Sequence, residues 1–165
     1  MLLNLKSVFA GDEGLTFDYV LDLSGLQVTS GEYPISEPVK VTGSVVNRAG
    51  LITLEVLAKL TYRTRCDRCL KEIAEDLEVK FENILATERA SESDDEIIVC
   101  SDETLDLDEL VTTNIILNLP MKHLCSPECK GLCPKCGKNL NEGDCGCDKG
   151  YVNPVFSQLK DIINE

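Results

Sequence analysis

Alternation with a period of two dominates the middle of the chain. Val39, Val41, Gly43 and Val45 alternate with polar residues and run into the turn signal Asn47-Arg48-Ala49-Gly50. Beyond it Ile52, Leu54, Val56, Ala58, Leu60, Tyr62 and Thr64 keep the same period, which predicts one long, bent strand with a single buried face. Leu77, Val79 and Phe81 then alternate with Asp76, Glu78, Lys80 and Glu82 and predict a third strand, so the simplest assembly is an antiparallel meander. Residues 1–38 carry a weaker pattern: "LTFDYVLDLSGLQV" alternates briefly, and Tyr33-Pro34 and Glu37-Pro38 mark loop on either side of Ile35.

Further along the period changes. Residues 88–96, "ERASESDDE", have no apolar face and predict a solvated, mobile loop, and "EIIVC" after them is a short strand candidate. In "LDLDELVTTNIILNLP" the apolar residues Leu107, Leu110, Val111 and Ile115 share one helical face. Asp106 is placed to cap that helix, Glu109 follows three residues later in a capping-box pattern, and Pro120 stops the run. Asn153-Pro154 followed by Val155, Phe156, Leu159, Ile162 and Ile163 predicts a short amphipathic helix. The expected fold is therefore α+β: an antiparallel β-meander with a few helices and a Cys-rich, zinc-binding C-terminal segment. Residues 1–124 are expected to form a mainly β domain with one helix, 125–150 a metal-binding segment packed on it, and 151–165 a C-terminal helix.

Composition adds a compartment. The chain has 165 residues, a length suited to one domain, and its N-terminal "MLLNLKSVFAGDEG" lacks the apolar core and cleavage site of a signal peptide. No apolar run approaches the roughly 20 residues of a membrane span. The expectation is a soluble, cytoplasmic protein with no membrane partner. Cytosolic thiols are held reduced, and the cysteine count of nine is odd, so metal binding is favoured over a disulfide framework.

Six of the nine cysteines fall in "CSPECKGLCPKCGKNLNEGDCGC", Cys125 to Cys147, an awkward number for tetrahedral ions that take four ligands each. Two more, Cys66 and Cys69, lie between the second and third predicted strands, at the tip of a hairpin, where a C-x-x-C turn converges two thiolates on one ion. A second such turn is Cys133 to Cys136, with Gly137 free to take the positive φ that follows the second cysteine. Eight thiolates make two complete sites and leave Cys100 over, as a core residue. The favoured grouping is Cys66, Cys69, Cys125 and Cys129 in the first site and Cys133, Cys136, Cys145 and Cys147 in the second, each holding a structural zinc ion. Other pairings, including a single zinc, stay open at this level. A thioredoxin-like redox site is disfavoured because Cys66 and Cys69 join antiparallel strands instead of opening a helix. His123, the only histidine, lies two residues before Cys125 and is either an exposed residue or a substitute ligand.

The formal net charge is −13, and two zinc ions held by eight thiolates would bring it to −17. Such a chain repels phosphate at long range and suits a basic protein partner. One stretch runs the other way: Lys59, Arg63 and Arg65 on the polar face of the long strand, then Arg68 and Lys71 at its tip, form a basic strip able to contact RNA phosphate. The alternative is a solvated face neutralised by Asp76, Glu78 and Glu82. With one histidine and no Gly-rich phosphate loop, no catalytic constellation or small-molecule substrate is indicated.

The order of "CDRCL", an acidic spacer, "LDLDELV…ILNLP" and "CKGLCPKCGKNLNEGDCGC" resembles the YceD family of large ribosomal RNA subunit accumulation proteins over residues 40–150. The resemblance implies a non-enzymatic bacterial ribosome biogenesis factor needed for accumulation of large-subunit (23S) ribosomal RNA. It places Cys66, Arg68 and Cys69 on the family's C-x-R-C signature and the six later cysteines on its second set. Its implied partner is large-subunit ribosomal RNA precursor. Two rival readings are an acidic, chaperone-like partner of a basic ribosomal protein and a cytosolic thiol redox protein.

Overall fold

The computed structural model describes residues 1–11, 14–27, 34–88 and 97–147. In chain order the elements are β1 (Leu2–Asn4), α1 (Lys6–Phe9), β2 (Leu15–Leu21), β3 (Val39–Arg48), β4 (Leu51–Arg65), β5 (Glu72–Ala86), β6 (Ile97–Val99), β7 (Thr104–Asp106) and α2 (Leu107–Asn118). The predicted helix at 151–165 and all but the first residue of the 88–96 loop lie outside the described residues.

The fold is α+β. Five strands form one sheet in the order β2-β3-β4-β5-β6, and β1 pairs with β7 in a two-stranded sheet beside it. From β2 to β5 every neighbour is antiparallel, so the alternation in the sequence becomes a meander. The β3–β4 turn is two residues long, and Ala49 and Gly50 both have positive φ (55° and 90°), the conformation that matches strand twist in a tight hairpin. β5 runs from Glu72 to Ala86, well beyond the Leu77–Phe81 alternation, because both its ends, the first of them acidic, are carried by a continuous ladder against β4 from Arg65↔Glu72 to Ile52↔Leu85. β6 joins β5 in parallel, making the sheet mixed at that edge.

One face of the sheet is covered. Ile52, Leu54, Val56, Ala58, Leu60 and Tyr62 of β4, with Val39, Val41 and Val45 of β3, point into a single core together with Leu5, Val8, Ile35 and Cys100. α2 adds Leu107, Val111 and Ile115, each fully buried, and each such side chain contributes roughly 1.5–3 kcal/mol by leaving water. Leu110 is half-buried against the same cluster. The helix begins where the sequence indicates: Asp106 Oδ1 accepts from the amides of Asp108 (3.0 Å) and Glu109 (3.4 Å). Asp106→Ala is expected to lower unfolding free energy by about 1 kcal/mol in urea titrations, with the denaturant slope unchanged.

Candidate metal centres

Past Lys59, the last β4 residue paired with β3, the sheet narrows to the β4–β5 hairpin, with one further bond from the Arg63 amide to the Pro34 carbonyl. A two-stranded ribbon is weakly stable by itself. This one ends in a closed turn, where the Leu70 amide donates to the Cys66 carbonyl (2.9 Å) and the Cys66 amide to the Lys71 carbonyl (2.8 Å). The same two bonds recur at the second turn, from the Gly137 amide to Cys133 (2.9 Å) and from the Cys133 amide to Lys138 (2.8 Å). Two knuckles of one design therefore stand in the chain, the first with Leu70 (φ 60°) where the second has Gly137 (φ 74°).

The segment after α2 is tied across the first knuckle by the two residues between its cysteines. Asp67 donates its amide to the His123 carbonyl (2.8 Å) and accepts the His123 amide on Oδ2 (2.7 Å). Arg68 donates from Nη1 to the Cys129 carbonyl (2.7 Å) and accepts the Leu132 amide on its own carbonyl (3.0 Å). Gly131 (φ 75°) passes so close that a Cβ there would lie 3.0 Å from the Arg68 carbonyl oxygen. The sequence offered no means of separating these stapling roles of Asp67 and Arg68 from surface charge. His123 is half-buried with its ring on the Tyr62 hydroxyl, Nε2 to O 2.7 Å, and takes no place in either thiol group.

These ties bring Cys66, Cys69, Cys125 and Cys129 together, all four Sγ atoms within 4.8 Å of one another. Cys66 Sγ lies 3.7 Å from Cys129 Sγ, and Cys69 Sγ 3.5 Å from Cys125 Sγ. A sulfur tetrahedron with zinc–sulfur bonds of about 2.3 Å has edges of roughly 3.8 Å, whereas a disulfide bond is about 2.05 Å long. Cys66, Cys69 and Cys129 are buried under Ile73, Leu124 and Leu132. Cys133, Cys136, Cys145 and Cys147 form the second group, again within 4.8 Å, with Cys133 buried and Cys136 exposed. Gly146 (φ 71°) turns the backbone between Cys145 and Cys147. The loop closing this group also reaches the first: Asn141 donates from Nδ2 to Cys129 Sγ (3.3 Å) and accepts the Lys130 amide (2.8 Å).

Electrostatics separate the thiols. Burial pushes Cys66 up, but the amides of Cys125, Cys69 and Arg68 more than reverse this and bring it to about 6. Cys133 falls to about 6 because the amides of Cys136 and Lys135 and the Cys145 thiol favour its thiolate. Asn141 is the main cause of the lowered value at Cys129. Cys125 rises to about 12 against Cys129 and Cys69, and Cys147 to about 12 against Cys136 and Cys145. One thiolate in each group forms readily and another resists, as like charges at this spacing must; a dication is what lets all four ionise together. Four soft sulfurs in this geometry fit zinc and leave no position for substrate.

The basic strip is divided. Lys59 pairs with Glu78 (2.5 Å) and Arg63 with Glu37 (2.6 Å), and Arg68 holds Cys129 as above. Arg65 and Lys71 are exposed and form no ion pair with any described residue. No helix among the described residues is long and apolar enough to cross a membrane.

A family model described as "Large ribosomal RNA subunit accumulation protein YceD" matches residues 54–163. The chain is 26% identical over 164 residues to the Large ribosomal RNA subunit accumulation protein YCED homolog 1, chloroplastic, of Arabidopsis thaliana, covering 77% of this chain and 51% of that protein. It is 30% identical over 103 residues to an uncharacterized protein of Mycobacterium tuberculosis, covering 59% and 49%. An uncharacterized protein of Bacillus subtilis is 22% identical over 158 residues, covering 93% and 90%. The chain thus spans about half the length of the first two relatives. No solved structure matches it.

Proposed function

The chain belongs to the YceD family, and from that premise we propose that it is a non-enzymatic ribosome biogenesis factor, acting in the cytoplasm by binding to promote large-subunit ribosomal RNA accumulation. Two zinc ions act as structural braces, the first in Cys66, Cys69, Cys125 and Cys129 and the second in Cys133, Cys136, Cys145 and Cys147. The observation that carries an RNA contact is the distribution of charge. Residues 63–75 and 121–147, which surround the thiol groups, hold eight basic and six acidic residues, against eight basic and twenty-three acidic in the rest of the chain. All eight of those basic residues are exposed. Metal-bound thiolates add negative charge at this end, but that charge is centred on the ions and faced by backbone amides, while Arg65, Lys71, Lys122, Lys130 and Lys135 are exposed. Short-range phosphate contact at this end is compatible with long-range repulsion from the body.

Arg65 and Lys71 provide the test, because neither braces the fold through its side chain in a described contact. Arg65→Glu/Lys71→Glu is expected to weaken binding to a large-subunit RNA transcript and to reduce the salt slope by roughly one to two phosphate contacts. Unchanged RNA affinity with unchanged metal content would defeat RNA binding at this end. The acidic body favours a second reading, in which the partner is a basic ribosomal protein; capture of such a protein with no affinity for the transcript would establish it.

A further inference from the structure

Leu70 sits in a backbone conformation that leucine rarely adopts. Its φ of 60° lies in the left-handed region, where a Cβ crowds the backbone and glycine is the usual occupant. The chain contains its own control: the second knuckle closes with the same pair of backbone bonds and has Gly137 at the equivalent place. Leu70 gains little burial in exchange, since 60% of it is exposed. An apolar side chain held out to water in a disfavoured conformation has no evident use within the fold, and such outliers concentrate at contact sites.

Its surroundings define the contact. The Cys66 amide bond to Lys71 fixes the turn on one side, Cys69 is anchored in the first thiol group on the other, and Arg65 and Lys71 flank the turn as exposed cations. An apolar wedge between cations matches the arrangement by which proteins enter a nucleic-acid stack, with phosphates taken by the basic residues and a base face by the side chain. We infer that Leu70 is the wedge of an RNA-binding tip, inserting against an unstacked base or helix end of large-subunit RNA while Arg65 and Lys71 hold the adjoining phosphates. This rests on the RNA reading of the function given above and adds the residue and the mode of contact.

Binding of the metal-loaded full chain to a large-subunit RNA transcript tests it, using Leu70→Asn, Leu70→Gly and Leu70→Met. Asn and Gly suit a positive φ, so both variants are expected to keep their metal and to melt at or above the parent temperature. Both should nevertheless bind the transcript about tenfold or more weakly, the loss expected for an apolar side chain that no longer leaves water. Met keeps an apolar, unbranched side chain and should stay within about threefold of the parent. Parental affinity in the Asn and Gly variants would overturn the wedge while leaving the RNA reading intact. A parent chain that does not bind the transcript at all would overturn both.

Discussion

Cys66→Ser is expected to release one of two metal ions and to destabilise the protein by at least about 4 kcal/mol. The first site joins the hairpin tip to a segment some sixty residues later, so losing it frees the chain entropy of a loop of that size, about 4 kcal/mol by the closure relation used for covalent cross-links. The buried thiolates of Cys69 and Cys129 would also lose the cation that lets both ionise at this spacing. Native mass spectrometry should show two metals in the parent and one in the variant, with a lowered unfolding midpoint. Cys145→Ser should also retain one metal, but with a smaller fall in the midpoint, because the second site closes only residues 133–147 and lies outside the main core. Loss of both ions from either variant would show that the Asn141 link to Cys129 makes the sites interdependent.

The second large effect is at the other end of the sheet. Gly43 of β3 lies between Phe17 of β2 and Val56 of β4, and a Cβ there would be 2.3 Å from the Glu55 carbonyl oxygen and 2.5 Å from the Phe17 ring. The ring could swing aside, but the carbonyl belongs to the central strand and cannot move without breaking the β3–β4 ladder. Gly43→Ala is expected to lose about 3 kcal/mol, a fall of roughly 6–12 °C in Tm, while both metals are retained. An unchanged melting temperature would mean that Gly43 does not lie against the Glu55 carbonyl as described.

Both positions show how far the sequence could be read. Period two located β3 and β4 because one face of each is buried, and Asp106 with Pro120 bounded α2 because a helix must satisfy its first amides and cannot continue through proline. Counting thiolates in fours led from six clustered cysteines to eight. The acidic first part of β5 was not legible, since Glu72, Glu75 and Asp76 break the apolar alternation and are held by β4 in space. Nor was the parallel direction of β6, because a three-residue strand has no pattern that encodes orientation. Arg68 was legible only as part of the basic strip and the C-x-R-C signature, and nothing singled out Asp67, although their bonds to His123 and Cys129 staple the first site. The signal for Leu70 was present and easily missed: comparing "CDRCL" with "CPKCG" sets leucine against glycine at the same place in the turn.

The separation of the ligands also sets a timetable. At roughly 5–20 residues per second of synthesis, about sixty residues between Cys69 and Cys129 take roughly 3–12 s to appear, so the hairpin tip waits that long with half its ligands. The second site, contained within residues 133–147, becomes complete roughly 1–4 s after Cys129 is made. A chain growing from its N-terminus is therefore offered the long-range closure first and the local one immediately afterwards. During the wait, Cys66 and Cys69 stand as a two-sulfur pair, open to a metal ion before the other two ligands exist.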